Sequence, residues 1–265
     1  MRYPVLRPPY VYRWAALLST LVVAISLLVS MFSPGLDQSP AAAQVAARQD
    51  VPAAASTPAE VSAPPADPSL IHTTARTGRY VALTFDDGPD PAYTPRILDV
   101  LARNGAVATF CMVGMQVTRH PELVRAVLGR GMRVCDHTVS HDEELSTRTE
   151  QRMTAEIQGC WADLQVAADK DVPVDYFRAP AGRWSPPMRA IASRAGMKAL
   201  SWTVDTRDWA MPGAARIVAS AQHDIRPGAL VLLHDGGGDR TQTVDALEIL
   251  LPWLKSQGYE FDFPA

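Results

Sequence analysis

The chain has 265 residues, a net charge of -3 and a pI near 6.1, with 47% apolar and 20% charged residues. That is enough material for one sizeable core, and the lack of a basic excess argues against nucleic acid as a partner. Cys111, Cys135 and Cys160 are widely spaced and lack the Cys-x-x-Cys pairing of a structural zinc or redox motif, so any metal has to be held by His and Asp.

Residues 1–13 carry Arg2, Arg7 and Arg13, and Trp14 to Phe32 is uncharged and dominated by Ala, Leu, Val and Ile. A stretch of this kind, about 20 residues long, crosses a bilayer as a helix. The positive-inside rule then puts 1–13 in the cytoplasm, makes 14–32 a transmembrane signal anchor and places everything from Ser33 outside the cell membrane. A cleaved signal peptide, with Ala41-Ala42-Ala43 as the cleavage site, gives a secreted protein instead. From 33 to 77 the chain turns to Ala, Pro, Ser and Gln, with seven prolines and no apolar periodicity. Such a segment buries too little to offset its ordering entropy and reads as an extended tether.

From residue 78 to 265 short apolar runs alternate with stretches of helical spacing. The runs are Val81 to Phe85, Val107 to Val113, Met132 to Cys135, Val174 to Phe177, Lys198 to Val204 and Ala229 to Leu233. Helical stripes follow at Leu123, Val124, Val127 and Leu128 after Pro121, at Met153, Ile157 and Trp161, and at Leu247, Leu250, Leu251 and Leu254. Strands alternating with helices predict a parallel sheet with helical cover, as an α/β barrel smaller than the eightfold one or an open doubly wound sheet. No Gly-x-Gly-x-x-Gly follows the first strand, which counts against a dinucleotide fold.

The polar residues gather at the ends of these runs. Asp86 and Asp87 follow the first, His137 and His141 the third, Arg178 the fourth, Asp205 and Asp208 the fifth, and His234 and Asp235 the sixth. In α/β barrels the C-terminal strand ends form the active-site face. Two histidines four apart lie together on one helical turn, and with a nearby carboxylate they make a three-ligand metal site with open positions. The other carboxylate of the Asp86-Asp87 pair is left as a base, which points to metal-assisted hydrolysis.

These segments resemble the polysaccharide deacetylases, the NodB-homology or carbohydrate esterase family 4 group. Thr84-Phe85-Asp86-Asp87-Gly88-Pro89, His137-Thr138-Val139-Ser140-His141, Arg178-Ala179-Pro180-Ala181-Gly182-Arg183-Trp184, Asp205-Thr206-Arg207-Asp208-Trp209 and Leu232-Leu233-His234 are similar to that family's five motifs, in order. The resemblance implies a distorted (β/α) barrel with fewer than eight strands that hydrolyses acetyl groups on a polysaccharide.

It further implies Asp87, His137 and His141 as ligands of one divalent metal, zinc first, with cobalt, nickel or manganese also suited. By the same resemblance Asp86 is the base and Arg178 its partner, while His234 is the general acid, oriented by Asp205. Asp208 ties its loop together. The backbone N–H of Ala181 steadies the oxyanion, and Trp209 and Leu232 line the pocket for the acetyl methyl group. Trp184 and Trp202 either face sugar rings or belong to the core.

Two departures from the family pattern are Ala181, where an aromatic is common, and Asp136, which adds a negative charge beside the first metal histidine. Cys111, Cys135 and Cys160 are expected as buried free thiols. Peptidoglycan N-acetylglucosamine is the favoured substrate, with chitin oligomers or acetylated xylan as alternatives. A non-catalytic glycan-binding module is disfavoured by the intact His234. Export disfavours an iron oxygenase built on the same ligand types.

Overall fold

The computed structural model describes residues 69–265. The segment 14–32 and the tether up to 68 lie outside the described residues. Among the described ones, no helix is long and apolar enough to cross a membrane.

Nine strands make one sheet in which every neighbouring pair runs parallel: β1 (Leu70–Ile71), β2 (Tyr80–Asp86), β3 (Ala108–Met112), β4 (Arg133–Asp136), β5 (Tyr176–Phe177), β6 (Lys198–Leu200), β7 (Val204–Asp205), β8 (Ala229–His234) and β9 (Glu260–Phe261). The order is β1-β6-β5-β4-β3-β2-β8-β7, with β9 against the start of β2. The strand count therefore exceeds the expected seven or fewer. The run Lys198 to Val204 divides into β6 and β7, and β1 and β9 are too short to show an apolar pattern. β1 also lies within the stretch assigned to the tether, so the folded domain begins several residues before 78.

Strand order alone requires the sheet to curl. β6 pairs with β5 and β1, whereas β7 pairs with β8 at the opposite end. Only Ser201, Trp202 and Thr203 join them, and four residue steps span at most about 14 Å. Among the described residues seven α-helices cover the outside: α1 (Thr94–Asn104), α2 (Gly114–Arg119), α3 (Pro121–Gly129), α4 (Glu150–Ala168), α5 (Pro186–Arg194), α6 (Ala214–Asp224) and α7 (Thr241–Ser256). The stripe on α7 is fully buried, and Pro121 opens α3 as expected. On α4 the buried stripe is Met153, Ile157, Cys160 and Leu164, and Trp161 is 40% exposed, one position out of phase with the expected face.

The strands alternate between two cores. Val81, Leu83 and Phe85 of β2 face the helices, while Ala82 packs inward with Cys111, Cys135, Tyr176, Leu200 and Leu230. A curled sheet of so few strands leaves a narrow interior, which small side chains fill. Going up β2 on the inward side, Ala82 gives way to Thr84 and then Asp86, so the interior turns polar at the strand ends. Register pairs Cys111 with Cys135 directly, and they form a disulfide with Cα atoms 4.1 Å apart. This corrects the expectation of free thiols for these two, because register and inward facing are invisible in their spacing of 24 residues. Cys160 remains a buried free thiol.

Candidate active site

The site sits where β2, β4, β5, β7 and β8 end. It surrounds a cavity of about 320 Å³ whose lining includes Asp86, Asp87, His137, His141, His234 and Asp205, with Ala181, Trp209 and Leu232 also on its wall. Arg178 lies behind Asp86. Left-handed backbone at non-glycine residues is concentrated in the surrounding segments, at Asp87, Thr138, His141, Ala181, Arg207 and Met211. Such conformations persist where the rest of the structure holds them, and they cluster at functional sites.

The segment from His137 to His141 is a loop after β4, not the helical turn its spacing suggested. Thr138 (φ 67) and His141 (φ 55) break any helix, and the His141 N–H is taken by Thr138 Oγ1 at 3.1 Å. The turn still brings the two rings together, with centroids 5.0 Å apart. His137 Nδ1 lies 2.8 Å from the carbonyl oxygen of Arg178, which can only accept, so Nδ1 carries the proton and Nε2 presents its lone pair to the cavity. Asp87 Oδ1 lies 3.5 Å from His137 Nε2 and 3.3 Å from His141 Nε2.

A divalent metal fits this set. Asp87 Oδ1 is buried with no hydrogen-bond partner, and one ligand atom from each of Asp87, His137 and His141 lies within 4.8 Å of the others. With metal–ligand bonds of about 2.0–2.1 Å, the edge of a coordination tetrahedron is about 3.3 Å, close to both oxygen–nitrogen separations. Burial pushes the Asp87 carboxyl up, but the close His137 imidazole and the charges of His137, His234 and His141 outweigh this and hold it well below the usual range. Burial and the neighbouring His137 charge lower His141, favouring the neutral form that ligates metal.

Asp86 is held differently. Arg178, fully buried, donates to Asp86 Oδ1 at 2.6 Å and to Thr84 Oγ1 at 3.0 Å. Its Nε and Nη2 donate to the carbonyls of Leu200 and Ser201 at 3.2 and 3.1 Å. The guanidinium is thus clamped inside the barrel and fixes the Asp86 rotamer. Asp86 Oδ2 faces His137 Nε2 at 3.6 Å.

Across the cavity, Asp208 Oδ1 accepts from His234 Nδ1 at 2.7 Å, and its Oδ2 accepts from the His234 backbone N–H at 2.9 Å and from Thr243 Oγ1 at 2.8 Å. This corrects the assignment of Asp205 as the partner of His234. Asp205 ends β7 half-exposed, with Oδ1 accepting from the Arg207 N–H, and the 3-10 turn at Asp208–Ala210 carries Asp208 under the imidazole. Burial lowers the His234 pKa, but the hydrogen bond and charge of Asp208, with those of Asp86 and Asp87 behind, raise it to about 8.

Asp136 adds no charge to the site, contrary to expectation. Complete burial pushes its carboxyl up to about 8 against the hydrogen bond from the Thr138 N–H and the His137 charge, so it is protonated at neutral pH. Trp184 packs edge-on against Phe177, with centroids 5.5 Å apart, and belongs to the core, while Trp202 lines the cavity.

Sequence reading missed Thr243 and Glu143, and it placed Asp235 at a strand end without giving it a role. Glu143 lines the cavity, and Asp235 is buried behind the acidic pair with Thr94 Oγ1 on its Oδ2 at 2.5 Å. Asp235 stood visibly at a strand end. Thr243, on α7 well beyond the motifs, had no local signal. Gly236 and Gly237 have a steric reason, because a Cβ on the first would lie 2.2 Å from the Asp87 carbonyl oxygen and one on the second 2.5 Å from Asp87 Oδ2.

A curled parallel sheet with an acid, a buried cation partner, an imidazole–carboxylate pair and three metal-ligand side chains at its strand ends defines a hydrolase of the α/β-barrel type. Residues 73–200 match the model of the polysaccharide deacetylase family. The chain is 41% identical over 193 residues to a chitooligosaccharide deacetylase of a Bradyrhizobium species, covering 69% of this chain and 87% of that one. It is 42% identical over 186 residues to a peptidoglycan N-acetylglucosamine deacetylase of Bacillus cereus, covering 69% and 85%. Among solved structures, a carbohydrate esterase family 4 pseudoenzyme from Bacillus anthracis superimposes with a TM-score of 0.68 at 26% identity, covering 74% and 67%. The chain belongs to the polysaccharide deacetylase family, and it is a hydrolase that removes acetyl groups from N-acetylated polysaccharide.

Proposed function

We propose that the protein deacetylates N-acetylglucosamine in peptidoglycan, tethered to the outer face of the cell membrane by residues 14–32 and reaching the wall through its proline-rich linker. The observation that supports a working catalyst over a binding module is the placement of two separate proton-handling pairs, Asp86 with Arg178 and His234 with Asp208, around one metal-ligand set. A protein that only held a sugar would need neither pair.

Asp87, His137 and His141 would hold one divalent ion, zinc first, with cobalt, nickel or manganese also suited to imidazole and carboxylate. A metal there supplies a Lewis acid that polarises a carbonyl oxygen and lowers the pKa of water. Asp86, its rotamer fixed by Arg178, accepts a proton from the attacking water as the new C–O bond forms. His234, protonated to about pH 8, gives its proton to the amine nitrogen as the C–N bond breaks, leaving acetate and a glucosamine residue. Asp208 keeps the imidazole in the right tautomer and stabilises its charge, as the carboxylate does in other hydrolytic triads. Ala181, Leu232 and Trp209 share the cavity wall, where the Ala181 N–H would donate to the developing oxyanion and the two side chains would enclose the methyl group.

The Bacillus cereus relative supports peptidoglycan, and the Bradyrhizobium relative supports chitin oligomers as the second reading. Acetate release from peptidoglycan, chitotetraose and acetylated xylan by metal-loaded protein separates them. The peptidoglycan reading predicts the highest kcat/KM on peptidoglycan, and a preference for either other polymer refutes it.

A further inference from the structure

Deacetylation as derived above leaves without a task one exposed cation, Arg207, that lies in the chain between two residues of the cavity wall, Asp205 and Trp209. After β7, Asp205 Oδ1 accepts from the Arg207 N–H at 2.8 Å, and Arg207 takes a left-handed conformation (φ 55). The following turn sends Asp208 down to His234 and Trp209 out to the cavity wall, where its ring is 46% exposed. The guanidinium carbon of Arg207 stands 5.2 Å from the centroid of that ring. That cation–π contact is its aromatic neighbour, and no carboxylate among the described residues lies within ion-pair distance of the Arg207 side chain. Arg183 is different, being ion-paired with the cavity-lining Glu143 at 3.7 Å and with Glu144.

A stacked guanidinium without a partner keeps its planar fork of N–H donors oriented and available. That fork matches a carboxylate, which can accept from two donors at once. The cavity, about 320 Å³, takes one acetamido sugar, so a sugar linked to it lies at the mouth. Glu143 and Asp205 also line the cavity and would repel an anion. Glu143 is countered by Arg183, and one oxygen of Asp205 is engaged by the Arg207 backbone.

We propose that Arg207, stacked on Trp209, is a specificity-determining residue that binds a carboxylate carried by the sugar next to the one being deacetylated. The enzyme then prefers a glycan with carboxylate-bearing neighbours, such as muramic acid whose lactyl carboxyl carries no peptide, over a neutral N-acetylglucosamine polymer. This deepens the peptidoglycan reading and rests on it.

The test compares kcat/KM for acetate release from peptide-free peptidoglycan strands and from chitotetraose, using the metal-loaded protein. Arg207→Gln lowers the value about tenfold on the carboxylate-bearing strands, the usual worth of a charge-assisted hydrogen bond, and less than about twofold on chitotetraose. Arg207→Lys keeps the charge but not the fork and falls between. Raising salt from about 0.05 to 0.5 M shrinks the wild-type preference and leaves that of Arg207→Gln flat. Equal losses on both substrates, or none on either, overturn the role of Arg207 while leaving the peptidoglycan reading intact. A wild type that prefers chitotetraose overturns both.

Discussion

Replacing Asp208 by Asn tests the least obvious part of the site. The carboxylate accepts three hydrogen bonds, from His234 Nδ1 at 2.7 Å, the His234 backbone N–H at 2.9 Å and Thr243 Oγ1 at 2.8 Å. An asparagine of the same size offers one oxygen and one NH2, so either the backbone N–H or Nδ1 meets a donor. If Nδ1 does, the imidazole is forced into the neutral tautomer protonated at Nε2. In either case the hydrogen bond and charge of Asp208, first among the contributions that raise His234 to about 8, are gone, while the burial that lowers it stays and only the charges of Asp86 and Asp87 still oppose it. The pKa then falls to about 6.5, the ordinary histidine value, or lower. At pH 7.5 the protonated fraction drops from about three quarters to about one tenth, a roughly eightfold loss before any misorientation is added.

The sign follows from the shift. An acid with a raised pKa stays active to higher pH, so the wild-type alkaline limb of kcat/KM lies near pH 8 and moves about 1.5 pH units down in Asp208→Asn. The assay is acetate release against pH with metal held saturating, so that protonation of the metal ligands does not mimic the effect. Asp205→Asn is the control, and its alkaline limb stays in place because Asp205 makes no contact with the imidazole. An unmoved limb in Asp208→Asn refutes the assignment of His234 as the acid tuned by Asp208. A moved limb in Asp205→Asn restores the pairing read from the sequence.

Asp86→Asn keeps size and the contact with Arg178 but removes the proton acceptor, so turnover falls by about 100-fold or more with metal content unchanged. Metal loss in that variant, measured by elemental analysis, would make Asp86 a ligand. Chelation abolishes acetate release and one equivalent of a divalent metal restores it, whereas His137→Ala binds metal far more weakly by titration calorimetry. Full turnover of chelated wild type ends the metal mechanism. Gly237→Ala sets a methyl group 2.5 Å from Asp87 Oδ2 and lowers metal affinity by about tenfold or more, with the circular dichroism spectrum unchanged. Unaltered affinity would show that Asp87 is free to move or is no ligand.

Much of this protein is written locally in its chain. Short apolar runs and 3.6-period stripes mark the central strands and helices, and the polar residues that end those runs mark one face of a barrel. Burial of apolar side chains follows pattern, and pattern is a property of neighbours in sequence. The motifs named nearly the whole site for the same reason, because each is a strand end plus the turn after it.

Tertiary structure alone decided which of these residues touch. The sequence pointed to Asp205 as the partner of His234 and left Asp208 to tie its loop, whereas the 3-10 turn after β7 carries Asp208 to the imidazole and leaves Asp205 on the cavity wall. Spacing of four residues made His137 and His141 look helical, yet left-handed residues inside the loop converge the rings by another path. Register, set by packing over many residues, put Cys111 beside Cys135. Asp136 shows the same limit for charge, since a carboxyl reads as anionic in a sequence until burial, a property of the whole fold, keeps its proton on.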